Sequence, residues 1–213
     1  MTRILVTAAA AVILAAPAFG QGSNAPAPAA RAIPATPFGL RMGMTVRDLA
    51  AYHPVASERV AGLYTIRSAP AGQPEFDEYM VLISPRQGVC KVVAIGRRVS
   101  TGEFGEELRA AFDRLERVLT PKYGDGNQMD DLKEGSLWTE PRDWMRSLRQ
   151  HDRTYQTLWR TADGDPLPPN LASVQLEANA SSSPGVGFLV LGYEFSNFHA
   201  CRDELNAGRG NAF

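Results

Sequence analysis

Three histidines, two cysteines and one acidic loop are the residues here whose chemistry reaches beyond packing. His53, His151 and His199 stand far apart, and no His-Glu-x-x-His or His-x-His spacing presents two imidazoles to one metal ion. Cys90 and Cys201 lack the close pairing of a zinc knuckle. The stretch Asp125-x-Asn127-x-Met129-Asp130-Asp131 begins like a calcium loop and then departs from it. Met129 takes the fifth place, Asp130 stands where the sixth needs glycine, and Ser136 stands where the twelfth needs glutamate. Nucleophile-elbow, Ser-x-x-Lys, phosphate-loop and dinucleotide fingerprints do not occur. On this reading no residue is assigned as catalytic, as cofactor-binding or as a metal ligand, and no cofactor is expected. One catalytic alternative stays open: a small exported hydrolase whose site gathers His151, Asp152, Glu194 and His199, provided the fold brings them together.

The thiols have a simpler use, which depends on the compartment. Arg3 is followed by an apolar stretch from Ile4 to Ala16, then by small residues at Ala16, Ala18 and Gly20. This is the layout of a cleaved export signal, with cleavage after Ala18 or Gly20. The stretch falls short of the roughly 20 residues of a permanent span, and no later run reaches that length. Residues 1–20 are therefore read as a signal peptide, and the rest as a periplasmic or secreted protein without stable membrane insertion. In an oxidising space two isolated thiols pair, so a Cys90–Cys201 disulfide is expected. Neither cysteine stands at the start of the mature chain, which excludes a lipid anchor. Without the leader the balance is 21 basic against 23 acidic residues. That near-neutral charge argues against a nucleic-acid partner.

The elements that must position these residues follow from periodicity. Residues 21–37, with prolines at 26, 28, 34 and 37, read as a disordered Ala/Pro-rich linker. A folded α+β domain is expected over 38–205, in two halves at 38–100 and 101–196, with a frayed tail at 206–213. Thr45 and Asp48 form a shortened capping box for a helix at 46–52, which Pro54 stops beyond His53. Strands are predicted at 63–68, 78–84 and 89–99, the last two flanking a Pro- and Gly-bearing turn. Leu108, Ala111, Phe112, Leu115, Val118 and Leu119 mark a helix over 104–120, ended by Pro121 and Gly124. An acidic loop at 125–135 leads to a short helix capped by Thr139, with Trp144 and Leu148 on one face. Alternation through Tyr155, Thr157 and Trp159 predicts a strand over 153–161, with a continued helix as the alternative. Strands at 172–178 and 187–195 complete the set. The order describes an antiparallel meander sheet with helices on one face, built from tandem helix–three-strand units. The other face would be left for a partner. Trp144 and Trp159 are expected in the core, whereas Trp138 is the aromatic to test for exposure.

The opening Phe38-Gly39-Leu40-x-x-Gly43-Met44-Thr45, followed at once by a short helix, resembles a motif of exported bacterial domains. These are the beta-lactamase-inhibitor-protein-like domains and the small outer-membrane-assembly lipoproteins. The resemblance implies a curved sheet that binds other proteins without catalysis. This chain lacks the lipidation cysteine of the second group, and no inhibitor contact residue of the first maps onto it. The expected function is thus a protein- or envelope-binding accessory module whose partner is another envelope or secreted protein.

Overall fold

A computed structural model describes residues 34–210; the expected signal peptide at 1–20, the expected cleavage region at Ala18 and Gly20, and residues 21–33 of the expected linker lie outside them. The first half of the fold contains β1 (Val55–Ala56), β2 (Leu63–Ile66), β3 (Phe76–Ser84), β4 (Gly88–Gly96) and β5 (Val99–Ser100). The second contains α1 (Glu106–Tyr123), β6 (Asn127–Leu132), α2 (Trp144–Arg149), β7 (Arg153–Arg160), β8 (Leu171–Ala180) and β9 (Val186–Phe195). The helix α3 (Phe198–Gly210) closes the described chain.

All strands join one antiparallel sheet in the order β1-β2-β3-β4-β9-β8-β7-β6, with β5 added to β9. Each half is a meander, and the two meanders meet through their last long strands, β4 and β9. Strand alternation sends one set of side chains to a single face: Tyr79, Val81, Val92, Ala94, Leu191, Tyr193, Val174, Leu176 and Trp159, all buried. α1 lays Leu108, Phe112, Leu119 and Tyr123 on this face, and α2 adds Trp144 and Leu148. The first half contributes only two short 3-10 turns, Pro37–Gly39 and Arg47–Tyr52, the second with Leu49 buried. Its start carries the expected capping box: Thr45 N–H donates to Asp48 Oδ2 at 2.7 Å, and Asp48 N–H to Thr45 Oγ1 at 3.4 Å.

The opening motif has a structural explanation. Phe38 packs its ring against Phe76, Tyr79 and Tyr193, and Leu40 is fully buried. Gly43 N–H bonds Val89 O, and Val89 N–H bonds Met44 O, which ties the motif to the start of β4. Gly88 has φ +65°, and a Cβ there would lie 2.3 Å from Gly43 O, so backbone meets backbone at this point. Gly105 plays a similar part before α1, where a Cβ would strike the Trp144 ring at 2.2 Å.

The six predicted strands are present, and several boundaries need correction. Pro121 does not end α1, which runs on to Tyr123. A proline in the last turn forfeits a single backbone bond, and Gly124 N–H still reaches Thr120 O at 2.9 Å. The acidic loop is in fact largely β6, an edge strand pairing six residues with β7. Its carboxylates misled the composition argument, because charge on an edge strand blocks further pairing without preventing the strand. With β1 and β5 it raises the strand count to nine. The chain also joins the fold at Ala35 rather than at Phe38: Ala35 N–H donates to Asn170 Oδ1 at 2.7 Å, and Asn170 Nδ2 donates back to Ala35 O at 2.8 Å. The last helix, α3, continues through Gly210, into the tail expected to fray from residue 206.

α3 lies across the end of the sheet at the β3–β4 turn. Cys201 joins Cys90 with Cα atoms 6.3 Å apart, and both residues are fully buried. Glu204 accepts from Ser84 Oγ at 2.7 Å and from Arg86 N–H at 3.1 Å. Among the described residues no helix is long and apolar enough to cross a membrane.

Candidate binding face

On the sheet face opposite α1 and α2, the register builds two parallel rows of side chains. One runs Thr65, Met80, Val93, Gly192, Gln175, Leu158, Asn127; the next runs Glu78, Ile95, Val190, Glu177, Gln156, Met129. Most of these residues are half-buried and Gly192 is buried, and α3 lies against one end of this face, with Phe198 over Lys91 and His199 beside Leu158 and Gln175. The rows divide by character. Across β3, β4 and β9 they offer Met80, Val93, Ile95 and Val190. Across β8 and β7 they are polar apart from Leu158, and three are bonded together: Gln175 Nε2 donates to Gln156 Oε1 at 2.6 Å and to Glu177 Oε2 at 3.4 Å. Burial pushes the Glu177 carboxyl above its ordinary value, against the lowering pull of the Asn179 side chain and the His151 ring.

Gly192 sits where the apolar and polar parts meet. A Cβ there would meet nothing nearer than Gln175 O at 4.0 Å. The position does not demand glycine for space, and glycine in a strand interior weakens the strand. Gly192 is itself buried, so the missing side chain leaves a shallow dip between its neighbours rather than exposed backbone.

The predicted site residues are dispersed. His151 precedes β7, where it is exposed with φ 58°, and Asp152 beside it accepts from Ser136 Oγ at 3.0 Å. His199 starts α3 at the other end of β7, in a cleft of about 440 Å³ shared with Leu158, Ser173 and Glu194. The eight residues of β7 set these ends roughly 23 Å apart at ~3.3 Å per residue. His199 and Glu194 thus come together, whereas His151 and Asp152 do not join them. Glu194 is engaged by Lys91 Nζ at 2.8 Å and by Ser173 Oγ at 3.2 Å, and His199 Nδ1 faces Arg202 at 3.5 Å. His53 closes the 3-10 turn in a left-handed conformation. In the former calcium-like stretch, Asp130 is bridged to Arg153. Among the described residues no cluster of three or more His, Cys, Asp or Glu is placed to hold a metal ion.

Trp144 and Trp159 are in the core as expected, and Trp159 Nε1 donates to Gly124 O at 2.8 Å. Trp138 is half-exposed under the Arg146 guanidinium, 3.6 Å from its ring centroid. Sequence reasoning missed Thr157, a fully buried hydroxyl on the helix-covered face that donates to Glu116 of α1. Only the pairing of strand with helix reveals that bond. It also missed Gly192, one of two glycines inside the last predicted strand. Neither family models, nor curated proteins, nor solved structures yield a match to this chain.

Proposed function

We propose that this chain is an exported, non-catalytic binding module that engages another envelope or secreted protein through the part of the sheet face opposite α1 and α2 that α3 leaves uncovered. The observation that carries the reading is the pair of side-chain rows across β3 to β7, with Met80, Val93, Ile95 and Val190 beside a bonded Gln156–Gln175–Glu177 strip. Apolar side chains beside a hydrogen-bonded polar strip match the division of a protein interface into a dry core and a polar rim. The buried Cys90–Cys201 bond supports work in the periplasm or outside the cell, where such bonds persist. The leader-like residues 1–20 and the resemblance of the Phe38–Thr45 opening point the same way.

The test is site-directed photocrosslinking of the mature, oxidised protein in envelope extracts. A photoreactive residue at Val93 or Leu158 is expected to give one discrete adduct, lost when Ile95→Glu is added. The same residue at Arg117, on the exposed side of α1, serves as control. Adducts that are equal from both faces, or absent from the open face, would overturn the reading.

A further inference from the structure

The helical layer does not close over the centre of the sheet. A cleft of about 310 Å³ lies beside α1, walled by Phe76, Val99, Ala111, Leu115, Val118 and Leu189. It runs into a second chamber of about 490 Å³ that shares Phe76, Leu115 and Val118 and ends at Tyr123 and Tyr193. Ala111, Leu115, Val118 and Lys122 follow helical spacing along one side, so the slot extends about 16 Å at 1.5 Å per residue. It exists because the first half supplies a six-residue 3-10 turn where the second supplies an eighteen-residue helix. Val118, at the mouth, is 54% exposed, an unusual state for valine on the inward side of a helix.

Charge around the slot is lopsided. Arg97 and Arg114 line the first chamber and Lys122 the second, against a single carboxylate, Glu75, that borders both. Among the described residues neither Arg114 nor Lys122 takes part in an ion pair, and Arg97 has only an exposed one with Asp77. At the far end, burial pushes the Tyr123 and Tyr193 hydroxyls up, so both stay neutral. A narrow apolar trough with cations at its rim complements a hydrocarbon chain that carries a negative head. Sites of this size, mostly apolar with a few placed charges, hold small ligands.

The geometry points to a binding site for a medium-chain fatty acid, with its chain along α1 between Phe76 and Leu189 and its carboxylate at Arg97 and Arg114. This site lies on the helix-covered face and is independent of the protein-binding surface opposite.

Dodecanoate, added below its micelle concentration to the oxidised mature protein, is the probe, followed by amide chemical shifts. Saturable shifts are expected at residues 75–76, 96–99, 111–122 and 189–193, with dodecanol binding at least about fivefold more weakly for want of the ion pair. Arg114→Glu should lower dodecanoate affinity by a similar factor and leave dodecanol unchanged. Val118→Trp, at an exposed position, should block both ligands while the melting curve stays intact. The inference fails if no saturable shift appears, if shifts centre on Met80 and Val93, if dodecanol binds as tightly as dodecanoate, or if a lysophospholipid binds and dodecanoate does not.

Discussion

The two halves of the sheet share an order of elements and are built on different supports. The second half has a full helical roof. Phe112 meets Tyr155 at 4.7 Å between ring centroids, Trp144 meets Tyr155 at 5.3 Å, and Trp159 is fully buried below Tyr123. The first half has two short 3-10 turns and a cluster of Phe38, Phe76 and Tyr79. What holds it is borrowed from the other end of the chain: α3 follows β9 and returns to β4 through Cys201–Cys90. Similar meanders can thus be stabilised by burial in one case and by a covalent tie in the other. The open slot beside α1 results from that inequality.

Removing the largest buried side chain of the second half tests the contrast most severely. Trp159→Ala deletes a fully buried indole and its bond to Gly124 O, and chemical denaturation should register a loss of roughly 3–5 kcal/mol. Double substitution Cys90→Ser with Cys201→Ser should cost about 2–5 kcal/mol, given a loop closed across 111 residues. Hydrogen exchange would locate that loss. Amides of β3, β4 and α3 should lose protection before those of β7 and β8, and uniform loss would refute the idea that the bond serves mainly the first half. The smallest effect has the opposite sign. Because burial raises the Glu177 carboxyl, the folded state favours its protonated form, and stability falls as pH rises past the ordinary value of 4.5. Glu177→Gln should therefore raise the denaturation midpoint at neutral pH and flatten its decline between acid and neutral. A lowered midpoint at pH 7 would show instead that the charged form is held by its neighbours.

Legibility in the sequence followed the range of each interaction. Helix α1 could be read because its apolar residues recur within one local period, and β7 because Tyr155, Thr157 and Trp159 alternate. The strand β6 escaped notice since Asn127 to Leu132 carries little apolar content, and its pairing with β7 lies in the partner's backbone. Asn170 carries no local signal, and its role as the anchor of Ala35 crosses 135 positions of chain. The element order leads to a sheet face opposite α1 and α2, but not to α3 across one end of it, where Phe198 lies over Lys91 and His199 beside Leu158. Nor does it lead to that face's composition, because which strands adjoin β4 sets whether Val93 neighbours Gly192.

The amino-acid order by itself determined the elements, their alternation, the buried aromatics and the compatibility of two lone cysteines with one bond. These rest on contacts a few residues apart or on residue chemistry alone. Tertiary structure decided that β4 meets β9, that His151 and His199 part company along β7, and that a slot opens beside α1. Such outcomes depend on how whole layers cover a twisted sheet, a global packing condition to which no local period corresponds.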